Sequence, residues 1–278
     1  MSTWELTAII FGGAAGAGFL GSLTGLGGGI VIIPLLTVGL GVDIRYAIGA
    51  SLVSVIATSS GAAAAYVREG FTNIRIGMFL EVATTLGALG GAFVALFIGP
   101  AAIAVIFGVV LMYSAWSTVR AAPGDAQAVP ADALATRLKM NGTVPAAEGP
   151  KPYNVTHVPA GFALMALAGL LSGLLGIGSG ALKVIAMDRI MKMPFKVSTT
   201  TSNFMIGVTA AASAGVYLGR GYIDPVLALP VMLGVLVGSL SGARLLAGAR
   251  TRTLRTVFAV VVAALAVEMI YKGISGRI

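Results

Sequence analysis

Long apolar stretches dominate this chain and limit what it can fold into. They recur along most of the 278 residues, and each approaches the roughly 20 residues that cross a bilayer as a helix. Only 10% of the residues are charged, whereas a soluble domain has about a quarter. The sequence therefore predicts an all-α integral membrane protein, and it disfavours a soluble enzyme or a nucleic-acid-binding protein.

The chain also contains an internal duplication with an offset of 151 positions. Residues 18–92 align without a gap on residues 169–243, and the matches include Ser51 with Ser202, Thr58 with Thr209 and Tyr66 with Tyr217. Glycine matches arise easily by chance in a glycine-rich chain, but Ser, Thr and Tyr matches in one register do not. We predict two repeats, residues 1–120 and 159–278, joined by a flexible Ala- and Pro-rich linker over 121–158.

Each repeat contains a glycine-rich break followed by a short apolar segment. The breaks are Gly25-Leu-Gly-Gly-Gly29 and Gly176-Ile-Gly-Ser-Gly180, and the short segments are 30–41 and 181–193. Such segments reach only about 18–20 Å as helices, against a hydrocarbon core of about 30 Å. We therefore expect each break to be the tip of a helical hairpin inside the membrane, followed by three transmembrane helices. This plan gives 8–10 helical membrane segments, and the odd number of crossings per repeat predicts two repeats of inverted topology.

The basic residues indicate an orientation. Of the 18 Lys and Arg residues, 13 fall on the side that holds the linker. Four fall on the other side, namely Arg45, Arg220, Lys272 and Arg277, and Lys183 is counted on neither side. Because cytoplasmic loops are enriched in Lys and Arg, we expect a cytoplasmic linker and both termini outside. This distribution also accounts for the net charge of +8 without a nucleic-acid partner.

The two tips predict an anion site. The short helices that follow them would aim free N–H groups and positive dipole ends at the membrane centre, an arrangement that inverted-repeat transporters use. The glycines of the breaks could instead only permit close helix packing, which is the role that we expect of Gly87, Gly90, Gly91, Gly234 and Gly238. The candidate substrate-binding residues are Gly27, Gly28, Gly29, Gly178, Ser179, Gly180, Lys183, Ser51, Ser202 and Asn203.

Two charged residues in apolar segments are candidates for further roles. Lys183 follows the second tip and has Ile32 as its repeat counterpart, so it would complement an anion at one tip only. It could instead reach towards the interface or pair with Asp188 or Glu81. Glu81 is the candidate for coupling transport to a proton or cation, and Glu268 is a weaker one. The sequence has no cysteine, a single histidine and no P-loop, so we expect no enzyme, metal site, cofactor or ATP-driven pump.

The first break ends the segment Gly18-Phe-Leu-Gly-Ser-Leu-Thr-Gly-Leu-Gly-Gly-Gly29. Together with Pro34 and the degenerate copy at 169–180, this segment resembles the TauE/SafE (sulfite exporter) family. The resemblance covers roughly 5–120 and 158–274 and implies a secondary transporter of the bacterial inner membrane for sulfite, organosulfonates or related small anions. Our hypothesis is export by alternating access, with the duplicated bundles rocking around the tips. The alternative is an uptake carrier or a passive channel for another small anion. The second copy departs from the first at Ser179 and Ile185, which indicates specialised halves. The expected partners are a small anion, the lipid bilayer and a possible second copy of the chain.

Overall fold

The computed structural model describes residues 3–22, 29–68, 70–120, 130, 132–145, 149–246 and 251–276. These described residues form eleven α-helices, two π-helical segments and two short strands. The helices are α1 Thr3–Ser22, α2 Gly29–Pro34, α3 Ile44–Arg68, α4 Ile74–Ala95, α5 Pro100–Arg120, α6 Ala133–Arg137, α7 Val158–Leu175, α8 Gly180–Ile185, α9 Phe195–Gly219, α10 Pro225–Leu246 and α11 Thr251–Ile274. The π-helical segments are Leu35–Gly39 and Ala186–Ile190, and the strands β1 Gly142–Val144 and β2 Lys151–Tyr153 pair antiparallel.

The helices are long and apolar enough for a membrane protein. Four of them qualify as membrane spans by length and composition, over Ile74–Ala95, Pro100–Ser117, Val158–Leu175 and Pro225–Gly242. Shorter apolar helices cover Trp4–Leu20, Gly29–Gly39 and Ile44–Ser60. The prediction of an all-α multi-pass membrane protein is confirmed.

Element boundaries recur at the offset of the sequence duplication. α3 and α9 begin 151 positions apart, as do α4 and α10, and so do the two π-helical segments. Pro34 directly precedes the first π-helical segment, whereas Ile185 precedes the second, so the proline is not required for this local structure. The repetition agrees with a duplicated unit. The opposite orientation of the two units stays a prediction.

The first helix of each repeat packs against a helix of the other repeat. α1 packs against α10 and α7 packs against α4, while α3 lies against α9 and α5 against α11. The α4–α7 and α1–α10 contacts are backbone to backbone, because a Cβ at any of several glycines would collide with a main-chain atom of the facing helix. These glycines are Gly87, Gly91, Gly169 and Gly173 in the α4–α7 pair and Gly18, Gly234 and Gly238 in the α1–α10 pair.

Gly90 corrects part of the packing prediction. A Cβ at this position would meet no atom within 4 Å, so Gly90 faces open space on the outer side of α4. The four other glycines assigned to packing, Gly87, Gly91, Gly234 and Gly238, all lie at close helix contacts. Hydropathy cannot tell the two cases apart, since a membrane helix is apolar on its lipid face and on its packed face alike.

The linker is more ordered than its composition indicated. Its described part contains α6 and the β1–β2 hairpin, and it buries Met140, Tyr153 and Val155 against the ends of the helices. The Asn73 side chain, at the start of α4, donates hydrogen bonds to the Tyr153 hydroxyl (2.7 Å) and to the Met140 carbonyl (3.1 Å). Burial raises the pKa of the Tyr153 hydroxyl, so the phenol stays neutral in this contact. The described part of the linker therefore has regular secondary structure and packed side chains, which its composition did not predict.

Candidate functional site

The second glycine break owes its shape to left-handed backbone. Gly176, Gly178 and Ser179 have φ angles of 67°, 72° and 47°. Glycine adopts this conformation at no steric cost, whereas serine adopts it at a cost. These residues end α7 and separate it from α8 at the predicted tip. The hairpin itself stays a prediction. Ser179 is the residue that replaces glycine in the second copy.

The described end of the first break, Gly29, lies close to the second break inside the protein. The Ser51 hydroxyl on α3 donates a hydrogen bond to the Gly176 carbonyl at 2.9 Å. Gly29, at the start of α2, lies at the same place, because a Cβ there would sit 2.7 Å from the Ser51 oxygen and 3.4 Å from the Gly176 oxygen. The predicted site residues Gly27 and Gly28 lie outside the described residues. Among the residues that are described, the structure brings Gly29 and Ser51 of one repeat to the break of the other.

The second tip lies against α9. The Ser202 hydroxyl donates to the Gly180 carbonyl at 3.3 Å, and Gly178 and Gly180 both approach the Ile206 side chain. Ser179 is only 4% exposed, and its hydroxyl oxygen has no hydrogen-bond partner. Asn203 lies half-buried next to Ser202 on α9. The tip thus holds a buried hydroxyl with unused hydrogen-bonding capacity, which is rare in protein interiors unless a ligand or water uses it.

Lys183 lies one turn into α8 and is completely buried, with 0% of its surface exposed. Its ammonium donates a hydrogen bond to the Thr209 hydroxyl on α9 at 2.6 Å. The Thr209 oxygen in turn lies 2.7 Å from Glu81 Oε1 on α4. Lys183 therefore does not reach towards the membrane interface, and its acidic partner is Glu81, through Thr209, rather than Asp188.

Glu81 is also buried, with 8% of its surface exposed. Its Oε1 atom accepts a second hydrogen bond from Thr85 at 3.2 Å, while Oε2 has no hydrogen-bond partner. Glu268, the weaker coupling candidate, is different. Its side chain is half-exposed and lies 4.0 Å from the Lys272 ammonium one turn later in α11. The structure therefore favours Glu81 over Glu268 as a functional carboxylate.

Sequence reasoning did not assign Thr209 to the site and identified it only as the repeat counterpart of Thr58. The spacing in the sequence could have identified Thr209, because it lies seven residues beyond Ser202 and hence on the same helical face. Its repeat counterpart Thr58 has a different environment. The Thr58 hydroxyl donates to the Ser54 carbonyl of its own helix at 2.9 Å. Thr58 therefore does not take part in a connection like the one that Thr209 makes to Lys183.

The apolar helices and this buried polar centre define a multi-pass membrane protein of the transporter class. A family model described as sulfite exporter TauE/SafE matches residues 9–269. The chain belongs to the sulfite exporter TauE/SafE family, as the glycine break indicated, and this is a family of membrane transporters rather than enzymes.

Curated relatives support the same class. The chain is 29% identical over 266 residues to the probable membrane transporter protein YunE of Bacillus subtilis, a match that covers 93% of this chain and 95% of that protein. It is 26% identical over 273 residues to a probable membrane transporter protein of Xylella fastidiosa, covering 97% of both chains. No solved structure matches the chain significantly.

Proposed function

We propose that this transporter moves a small sulfur-containing anion, sulfite or an organosulfonate, out across the bacterial inner membrane by alternating access. The family description supports the substrate class. The observation that carries the proposal is that Gly29 and Ser51 of the first repeat lie at the break of the second, where Ser51 donates a hydrogen bond to the Gly176 carbonyl, beside a buried lysine. In the proposed orientation both termini lie outside and the linker is cytoplasmic, as the distribution of basic residues favours.

The donors around the second tip suit an oxyanion. The Ser179 hydroxyl has no partner, and a lysine ammonium has three N–H donors, of which Lys183 gives one to Thr209. Ser179 and Lys183 are four residues apart, about 6 Å along a helix axis, so both can reach one small ion. In a site without bulk water these interactions are much stronger than at a surface. The bound anion would therefore be held by Ser179, Lys183 and the backbone of Gly178 and Gly180.

Sulfite flux into proteoliposomes tests this proposal. We expect saturable flux in the parent protein, weak competition by sulfate and loss of flux in Lys183→Met. Lys196→Met is the matched control, because Lys196 is exposed and its ammonium lies over the Phe71 ring, 3.5 Å from the ring centroid. The control should transport like the parent.

The alternatives give different results in the same assay. Flux that rises linearly with sulfite concentration would identify a passive channel. Saturable flux that runs inward under a physiological membrane potential would identify an uptake carrier. If sulfite does not move but another small anion does, the substrate assignment is wrong while the carrier assignment stands. Equal sulfite flux in the parent and in Lys183→Met would remove this lysine from the site.

A further inference from the structure

The Lys183–Thr209–Glu81 cluster has hydrogen-bonding capacity that the described residues leave unused. Among these residues the Lys183 ammonium has one partner, Thr209, and the Oε2 atom of Glu81 has none. Both side chains are more than nine-tenths buried. Buried charges of this kind are costly unless they are fully paired. An under-satisfied buried pair in a transporter therefore indicates a site that gains and loses ligands.

Other charged groups near the cluster are few. α4 packs against α7 and α9, and α8 packs against α7, α9 and the second π-helical segment. The charged or titratable side chains on these elements, besides the pair itself, are Arg75 on α4, Asp188 and Arg189 on the π-helical segment, Lys196 and Tyr217 on α9, and the exposed His157 that precedes α7.

Several of these groups are engaged elsewhere. The nearest in sequence, Asp188, is five residues beyond Lys183, which is more than about 7 Å along a helix. Arg75 donates to the Lys139 carbonyl at 3.2 Å, and the Tyr217 hydroxyl donates to the Gly173 carbonyl at 3.3 Å. Lys183 and Glu81 therefore balance mainly each other's charge.

We propose that Glu81 carries a proton together with each transported anion, and that Thr209 is the switch between the two states. In the state that the structure shows, the ammonium is linked through Thr209 to the carboxylate and no net charge is left for a substrate. When Glu81 takes a proton from water, its negative charge is lost and the Lys183 ammonium becomes available to the anion at the second tip. This inference rests on the proposed function, and it identifies the proton as the ion to which anion transport is coupled.

The net charge moved in each transport cycle determines whether the membrane potential can drive export. One proton from the water joins the Glu81 carboxylate on one side of the membrane and is released on the other, so no bond to the anion forms or breaks. A monoanion carried with one proton moves no net charge. A dianion carried with one proton moves one negative charge outward, which a membrane potential that is negative inside favours. Export of sulfite as the dianion is therefore compatible with this coupling.

Anion-driven proton movement tests the coupling. Proteoliposomes with a lumenal pH dye would receive a gradient of isethionate, a sulfonate that stays a monoanion at every accessible pH and so carries no proton itself, and a second sample would receive sulfite. We expect about one proton per anion in the parent, and a ratio near zero in Glu81→Gln, whose amide is neutral at all pH values and keeps the shape of the acid. Thr209→Val should also lower the ratio, because it removes the hydroxyl between the two charges.

Thr58→Val is the matched control, since Thr58 occupies the same repeat position but bonds only within its own helix. It should keep the ratio near one. Glu81→Gln combined with Lys183→Met removes both charges. Comparing its thermal stability with that of each single variant shows whether a silent single variant is merely unfolded. Saturable anion flux without proton movement in the parent would overturn the coupling alone. Absence of saturable flux of either anion in the parent would overturn the proposed function and the coupling together.

Discussion

The contact between α4 and α7 gives the sharpest stability prediction, because two adjacent glycines of α4 have opposite environments. A methyl group at Gly91 would collide with the carbonyl group of Leu170 on α7, whereas a methyl group at Gly90 would meet nothing within 4 Å. Both Gly→Ala changes gain up to about 1 kcal/mol of helix propensity. Only Gly91→Ala carries the cost of overpacking, typically about 1–3 kcal/mol. Gly91→Ala should therefore be less stable than Gly90→Ala by this overpacking cost.

The measurement is unfolding of purified protein by sodium dodecyl sulfate titration in mixed micelles. A difference of about 1–3 kcal/mol corresponds to a roughly 5- to 150-fold difference in the unfolding equilibrium constant. Gly87→Ala should behave like Gly91→Ala, since its Cβ would collide with the Ala166 carbonyl. Equal stability of the Gly90 and Gly91 variants would refute the backbone contact between these helices.

Three other perturbations have defined outcomes. Glu81→Ala leaves the Lys183 ammonium without its buried carboxylate and should lower the free energy of unfolding by about 3–5 kcal/mol, while a variant with Met at both positions should recover most of this loss in the same titration. Ser51→Ala removes the hydrogen bond from α3 to the second break and should cost about 1 kcal/mol, and no measurable change would mean that this bond does not hold the break. The chain has no cysteine, so single cysteines at Glu5 and Lys151 report the orientation. An impermeant maleimide added to intact cells should label the first only, and the reverse pattern would invert the proposed topology.

The helical membrane fold was predictable from the sequence because its signals are local. Apolar length fixes which segments can span, and the glycines of the second break occupy positions with positive φ that other residues avoid. The duplication also located the short helices, which begin at Gly29 and Gly180, one residue before the predicted starts. These features depend on neighbours in the sequence, so a single sequence contains them.

The polar cluster was only partly predictable because it joins three helices. Lys183 and Glu81 each stood out as charges in apolar segments, but their connection depends on Thr209, 26 residues from one and 128 from the other. The order of the linker is likewise a tertiary effect. Asn73 holds Tyr153 from 80 residues away, and an Ala- and Pro-rich composition gives no sign of that contact.

The pairing of α1 with α10 and of α7 with α4 means that the packed bodies are not the sequence repeats. α1, α2, α3 and α10 contact one another, as do α4, α7, α8 and α9, and α3 packs on α9 where the two groups meet. The chain passes directly between these groups twice, between α3 and α4 and between α9 and α10. Gly70 and Gly221 lie in those two passages, 151 positions apart, each with a φ of 74° and with open space beside its Cα. Any relative rotation of the two groups would have to change the backbone of these two passages, which occupy the same position in both repeats.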